Sequence, residues 1–271
     1  MHQQNKFFTG VCFILLVFFF ANCSTYGPAT LGNIPAHITR PMYEDETVSA
    51  INLNARASTG DVYSYKKGEI NRFGEGAVSY SRVFKEGHFA VNAGGYMGSY
   101  FTKNQLSTPL RYYGSNLRAE LGIHTPSLWQ SFVGRHVRTV AETTFGICYE
   151  YRTEDGEYFN FRKNFTDSLS KNNPNRSINS TTSHRMHTIS VFKDYRQQIN
   201  DTDIFGVRAQ TSLSYEGNFV QDFNNMQMGL TIHYTHKMFT IYGQGSFSLG
   251  SYAAYFKPLF GLGINYAVWM K

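Results

Sequence analysis

Two histidines and a serine between positions 184 and 190 have the residue types of a hydrolytic site. A histidine can take the proton of a serine hydroxyl, and a carboxylate such as Glu142 or Glu150 can orient that histidine. On one strand, however, His187 and Ser190 point to opposite faces, while His184 and Ser190 share a face but lie roughly 20 Å apart. The spacing therefore argues against an enzyme and favours polar residues of an interface or an interior.

Cys23 could carry chemistry of another kind, the covalent attachment of lipid. An apolar run over residues 11–21 follows Lys6 and is shorter than the about 20 residues that a spanning helix needs. A basic residue, an apolar block and small residues in this order are typical of a secretory signal peptide. The ending Phe20-Ala21-Asn22-Cys23 resembles the lipobox of bacterial lipoproteins, with Phe20 where leucine is commonest. We predict that residues 1–22 form a signal peptide, which is cleaved off just before Cys23, and that Cys23 carries palmitate. The alternative is an ordinary signal peptide with an incidental cysteine.

The three cysteines do not form a disulfide framework. Cys12 would leave with the signal peptide and Cys23 would carry lipid, so Cys148 would have no partner in an exported chain. A single thiol without spaced histidines is not a zinc site. We expect no metal and no other cofactor.

The composition is typical of a membrane barrel. Aromatic residues make up 16% of the chain, and charged residues only 16%, whereas a soluble domain usually carries about 25% charge. Abundant tyrosine and glycine in an exported chain fit a barrel with aromatic girdles. The net charge of +6 is scattered, so we do not expect nucleic acid as a partner. Residues 23–45 contain three prolines and predict an extended tether that leads to a barrel over residues 46–271.

A period of two along the rest of the chain predicts strands. Residues 205–216, for example, alternate apolar and polar positions, which a strand sends to opposite faces. These runs have the length of tilted transmembrane strands. We predict an all-β fold, an antiparallel up-and-down transmembrane barrel of about ten strands, within a range of about eight to twelve. The predicted strands are 46–58, 75–84, 88–101, 113–123, 137–152, 184–195, 204–217, 225–235, 238–249 and 258–270.

The predicted connections are long at one end of the barrel and short at the other. Residues 85–87 and 236–237 form tight turns, whereas polar segments follow the odd-numbered strands. Because outer-membrane barrels have long external loops and short periplasmic turns, we expect both termini on the periplasmic side of a bacterial outer membrane. Residues 124–136 are longer than a periplasmic turn needs. Their Trp129 and Phe132 are expected to contact lipid or a partner subunit.

The polar face of the predicted strands carries charges of both signs. Inside a narrow barrel these residues would either form a salt-bridge network that plugs the lumen or line a selective pore or small-ligand cavity. The small free volume of about ten strands favours the plug. A soluble lipocalin-like barrel tethered by Cys23 would have the inverse arrangement, and periodicity does not decide between them. The predicted lumen set is Arg56, Arg118, Glu120, Glu142, Glu150, Arg152, Arg208 and Glu216.

The chain resembles a known group of proteins, most clearly over residues 20–101 and the final strand. Cys23 is followed by Tyr26-x-Pro28 and Asn33-x-Pro35, and then by the segment GEGAVSYSRVFKEGHFAVNAGGYMGSY, Gly74 to Tyr100. These features are similar to those of lipidated outer-membrane barrels of Bacteroidetes-type bacteria, which mostly lack an assigned function. Surface-exported lipoproteins of that group tend to carry acidic or lysine residues just after the cysteine. Their absence here implies an anchor on the periplasmic side.

The expected function is a structural or accessory component of the cell envelope, in contact with outer-membrane lipid and with partner subunits of a larger complex. A narrow channel and a lipid-modifying enzyme are the alternatives within the membrane. The polar segment from Arg162 to Arg185 is expected to be a mobile loop. Its Asp167-Ser168-Leu169 resembles the O-glycosylation acceptor motif of these bacteria, which makes Ser168 a candidate modification site.

Overall fold

The described part of the chain forms ten long strands and one helix. The computed structural model describes residues 29–30, 34–41, 47–61, 69–101, 108–127, 141–172, 183–215, 223–249 and 257–270. The helix, α1, is Glu157–Asn172. The prediction of ten strands is confirmed. They are β1 (Val48–Asp61), β2 (Ile70–Phe84), β3 (Gly87–Phe101), β4 (Leu110–Ser127), β5 (Ala141–Thr153), β6 (Arg185–Asn200), β7 (Asp203–Tyr215), β8 (Phe223–His236), β9 (Phe239–Leu249) and β10 (Lys257–Met270).

The strands close into an antiparallel up-and-down barrel. Each strand pairs with its neighbours in sequence, and β1 pairs with β10. A row of paired residues that starts at Tyr113 on β4 passes round all ten strands and returns to β4 at Thr125, twelve residues away. Ten strands with a stagger of this size tilt by about 40° and enclose a backbone radius of about 10 Å.

The barrel is polar inside and apolar outside. Leu262 on β10 and Met97 on β3 point outward and are 75% and 72% exposed, whereas the inward Arg56 and Glu120 are at most 4% exposed. This polarity excludes the soluble lipocalin-like barrel, because such a barrel needs an apolar interior and a polar exterior. A closed barrel also pairs its backbone groups internally, as lipid requires. The chain is a transmembrane β-barrel of the outer-membrane type.

Outward aromatic side chains lie towards both ends of the strands, as the girdles of a membrane barrel do. Those nearest the end that holds the first residue of β1 are Phe84, Phe205, Tyr234, Phe239 and Tyr266, and those nearer the opposite end include Tyr113 and Phe260. Aliphatic residues such as Leu121, Ile147 and Val191 occupy the zone between them.

The two ends of the barrel carry different connections. Two-residue turns at 85–86, 201–202 and 237–238 lie at the end where β1 begins and β10 finishes, which we call the turn end. The opposite end, which we call the α1 end, holds the connection between β5 and β6 that contains α1. Trp129 and Phe132 lie outside the described residues.

The helix α1 corrects the prediction of a mobile loop from Arg162 to Arg185 as far as Asn172, and residues 173–182 lie outside the described part of the chain. Asp155 and Gly156 pair with β4, and the positive φ of 109° at Gly156 turns the chain into the helix. Tyr158, Phe161 and Phe165 then recur at helical spacing and pack on a buried aromatic cluster at the α1 end. No helix in the described part of the chain has the length and apolar character needed to cross a bilayer.

Candidate functional site

The barrel wall supplies a lumen lined by equal numbers of opposite charges. Among the described residues of the strands, five arginines and five carboxylates point inward and are buried. Their alternation with apolar residues on each strand places all of them on the same side of the sheet. The set is Arg56, Arg118, Arg152, Arg196, Arg208, Glu75, Glu120, Glu142, Glu150 and Asp194.

An N-terminal segment occupies this lumen. Residues 34–41, which we call the plug, run through the barrel, and the side chains of Ile34, His37, Ile38, Thr39 and Arg40 are each at most 4% exposed. The sequence predicted these residues as part of an extended tether. They form neither helix nor strand, and they lie inside the barrel.

Side chains of the wall hold the backbone of the plug through its carbonyl oxygens. Arg56 Nη1 donates to the carbonyl of Ile34 at 2.8 Å, and Gln244 Nε2 donates to that of Pro35 at 3.0 Å. Arg118 donates to the carbonyl of Ala36. Arginine is a donor only, and proline has no N–H that would need an acceptor in the lumen. An extended segment with prolines therefore suits a wall rich in donors.

The middle of the plug makes the same kind of contact with β1 and β10. Asn54 and Asn265 donate to the carbonyl of His37 at 2.9 and 3.2 Å, and Asn265 also donates to Thr39 Oγ1 at 2.9 Å. The imidazole ring of His37 stacks on that of His233 with 4.2 Å between centroids. The contacts lie on strands that are adjacent across the closing seam of the barrel.

At the turn end, Arg40 joins the plug to a buried charge cluster. Its guanidinium donates to Glu142 Oε1 at 2.8 Å, to Thr144 Oγ1 at 2.6 Å and to Asp194 Oδ2 at 3.2 Å. Arg196 donates to the same Glu142 oxygen at 2.6 Å and to the carbonyl of Arg40 at 2.7 Å. A buried charge needs partners of this kind to offset the loss of water.

Two further ion-pair clusters fill the middle of the lumen. Glu120 accepts from Arg118 and, through both oxygens, from Arg208 at 3.0 and 2.9 Å. Arg208 also lies over the ring of Phe192, 3.6 Å from its centroid. The second cluster contains the ion pair of Arg56 with Glu75. The charges of the wall are thus paired with one another as well as with the plug.

The ion pair of Glu150 with Arg152 continues this network toward the α1 end. Arg152 Nε donates to Glu150 at 2.9 Å, and both side chains are buried. Asn116 links this pair to the cluster in the middle of the lumen, because its amide donates to Glu75 at 2.6 Å and to Glu150 at 3.4 Å.

The α1 end of the lumen is covered by a second set of contacts. Glu154 accepts from the backbone N–H of Ala29 at 2.7 Å and from Arg162 of α1 at 2.7 Å. Asn71 donates to the carbonyl of Ala29 at 2.5 Å. Tyr158 of α1 is fully buried, and burial raises its pKa well above the usual value. The chain is therefore fixed to the barrel at this end too.

Seven of the eight predicted lumen residues lie among these clusters, on the inner side of the wall. They are Arg56, Arg118, Glu120, Glu142, Glu150, Arg152 and Arg208. Glu216 and Cys23 lie outside the described residues. Ser168 lies in the fourth turn of α1, so the candidate glycosylation motif is helical.

The candidate hydrolytic residues are not brought together. His187 points outward, where Tyr149 Oη lies 2.7 Å from its Nδ1, whereas Ser190 is buried in the lumen and donates to Ser212 at 2.9 Å. His184 lies at the α1 end, stacked on Phe159 with 3.5 Å between centroids. The histidines and the serine thus occupy three separate places.

Sequence reasoning missed Glu75, Asp194, Arg196 and the plug itself. Arg196 and Asp194 stand in phase on β6 and continue the inward alternation, so the period of two could have found them. The plug has no such period. The predicted inward set of four arginines and four glutamates gave no sign of it either.

Comparison of the sequence with known protein families and with curated proteins found no match. Solved structures with a similar shape include the translocator domain of the autotransporter NalP from Neisseria meningitidis, at 9% identity and a TM-score of 0.38, covering 81% of this chain and 88% of that one. The KdgM porin matches at 10% identity and a TM-score of 0.32, covering 79% and 98%. Ail from Yersinia pestis, solved with the heparin analogue sucrose octasulfate, matches at 8% identity and a TM-score of 0.32, covering 82% and 99%. The architecture of this chain therefore rests on its own strands and register.

Proposed function

We propose that the protein is a lipid-anchored barrel of the bacterial outer membrane, with a structural or accessory role in the cell envelope and closed to ions by its own plug. The single observation that carries the closure is the burial of residues 34–41 in the lumen, with their carbonyls held by the wall. A permeant ion would have to displace a covalently attached segment and its hydrogen bonds. This favours the plugged barrel over the narrow channel.

Cys23 is the proposed site of the lipid. Its position at the end of an apolar run supports acylation there, and the one free cysteine in the described part of the chain, Cys148, is buried in the lumen, 2% exposed. We further propose membership of the lipidated outer-membrane barrels of Bacteroidetes-type bacteria and a place within a larger outer-membrane complex. The outward apolar surface supports contact with lipid and with partner subunits there.

Ion conductance in planar bilayers tests the closure. The purified full-length protein should give no ion steps at voltages where a reference porin conducts, and steady conductance by the unmodified protein would overturn the proposal. Membrane fractionation tests the location, since recovery of the protein without detergent would be incompatible with a lipid-facing apolar exterior.

Labelling with radioactive palmitate tests the anchor separately. The wild-type protein should incorporate the label and a Cys23→Ala variant should not. Equal labelling of the two would remove Cys23 as the site and leave the closed barrel unaffected.

A further inference from the structure

The plug runs through the barrel in one direction, which its contacts define. Ala29 is bound to Glu154, next to the end of β5, and to Asn71, near the start of β2, and both lie at the α1 end. Arg40 is bound to Glu142, near the start of β5, and to Arg196, which lies toward the end of β6; both lie at the turn end. The chain therefore enters at the α1 end and leaves at the turn end.

The length of the segment fits one crossing of the barrel. The twelve steps from Ala29 to Pro41 span at most about 40 Å when fully extended. A strand of 14 residues, such as β1, rises about 35 Å along the axis at a tilt of about 40°. An extended chain without a reversal is thus just long enough. Only residues 42–47 then remain to reach β1, which begins at the same turn end.

We propose that the N-terminal segment crosses the membrane inside its own barrel, so that the mature N-terminus emerges on the side opposite the C-terminus and the two-residue turns. Met270, the last residue of β10, lies at the turn end, whereas Ala29 lies at the α1 end. The expectation that both termini share one side therefore gives way to a barrel whose termini are separated by the membrane.

The consequence for the lipid rests on the proposed acylation of Cys23. Six steps of chain separate Cys23 from Ala29, which limits the sulfur to roughly 20 Å of extended backbone beyond that contact. A lipid on Cys23 is then inserted in the leaflet at the α1 end. Because long loops of outer-membrane barrels face outward, that leaflet is the outer one. The barrel would display its own lipidated N-terminus at the cell surface.

Contacts at both ends fix the segment in this register. Glu154 binds Ala29 and α1 together, and Arg40 binds both Glu142 and Asp194. Sliding by one residue would break the ion pairs of Arg40 and misplace the carbonyl groups against their donors. The segment is a fixed strut across the membrane.

Cysteine labelling of intact cells tests the crossing. Three full-length variants receive one new cysteine each: Gly27→Cys upstream of the plug, Lys163→Cys on the exposed surface of α1, and Asp201→Cys in the exposed turn between β6 and β7. In intact cells, a membrane-impermeant maleimide should label both Gly27→Cys and Lys163→Cys. Asp201→Cys should label only after permeabilisation. Labelling of Gly27→Cys that follows Asp201→Cys would overturn the proposal.

A disulfide pair gives the same answer without access from solvent. Ala29→Cys combined with Asn71→Cys should cross-link in the folded protein, because the backbone of Ala29 contacts the Asn71 side chain. The matched pair of Ala29→Cys with Arg196→Cys, at the opposite end, should not. Cross-linking of the second pair alone would reverse the direction of the plug. Equal palmitate labelling of the wild type and Cys23→Ala would remove Cys23 as the lipid site, but both cysteine tests would still decide the crossing.

Discussion

Replacement of Arg40 by methionine tests how strongly the plug is held. Methionine keeps most of the volume of the side chain but removes the charge and its four contacts, to Glu142 at 2.8 Å, Thr144 at 2.6 Å, His124 at 2.9 Å and Asp194 at 3.2 Å. Glu142 would keep Arg196 as a partner, whereas Asp194 would keep only its contact with His233 at 3.4 Å.

The size of the effect follows from the burial of the cluster. Removing one partner of a buried ion pair costs about 3–5 kcal/mol, since the remaining charge stays buried without compensation. Because Glu142 retains Arg196 and Asp194 retains His233 at 3.4 Å, we expect the lower part of this range, about 3 kcal/mol. For a barrel of this size, each kcal/mol shifts the melting temperature by roughly 2–4 °C, which gives a fall of about 6–12 °C.

The heat-dependent gel mobility of the detergent-solubilised barrel measures this shift. The matched control is Arg82→Met, because Arg82 is exposed on the outer face of β2 and takes no part in the lumen network. The double variant Arg40→Met with Asp194→Asn should recover part of the loss, since the buried carboxylate that lost its arginine partner is then neutral. Equal melting temperatures for Arg40→Met and Arg82→Met would refute the conclusion that Arg40 holds the plug at the turn end.

The same melting assay serves three further predictions. Gly229→Val should destabilise by about 1–3 kcal/mol, because even its Cβ would lie 2.5 Å from Ile34 Cδ1 of the plug, whereas Gly76→Ala, which meets nothing within 4 Å, should change stability by less than about 0.5 kcal/mol. Ile264→Arg, at the middle of β10 on the outer face, should cost about 2–4 kcal/mol when folding into lipid vesicles is measured, and an unchanged yield would contradict a lipid-facing position. Glu154→Gln should cost about 1–3 kcal/mol through the weakened hydrogen bonds to the segment before the plug and to α1; a melting temperature equal to that of the wild type would contradict the clamp at that end.

The barrel was predictable because its signal is local and repeated. One face of each strand is apolar and the other is polar or charged, as in the run Leu117, Arg118, Ala119 and Glu120. Ten runs of this kind predict ten strands. The alternation did not show which face lines the lumen, since an apolar interior would give the same pattern. The exposure of Leu262 beside the burial of Arg56 decides it.

The position of the plug could not be predicted from its own residues. Ile34 to Pro41 has no amphipathic period, because its side chains meet the wall on every side. Its partners Arg56, Arg118 and Gln244 stand on three different strands, and only the closed barrel brings them to one axis. Contacts of this range follow from the tertiary fold alone.

The helix α1 was missed for a different reason. Of its aromatic positions, Phe165 lay in a segment judged by its Asn and Ser content, while Tyr158 and Phe161 lay between that segment and the predicted strand 137–152, where no element was assigned. A window that began at Glu157 would have shown the helical spacing. Composition was therefore a weaker guide than residue spacing, because a short amphipathic helix begins just before a segment rich in Asn and Ser.

The strut also sets an order of assembly. The plug is joined to β1 by six residues, and its binding groups are distributed from β1 to β10 on both sides of the β1–β10 seam. A finished barrel with a filled lumen has no path by which the N-terminal segment could be threaded later. We therefore expect the seam to close last, around a segment already in place, so that this segment acts as the template on which the wall is completed.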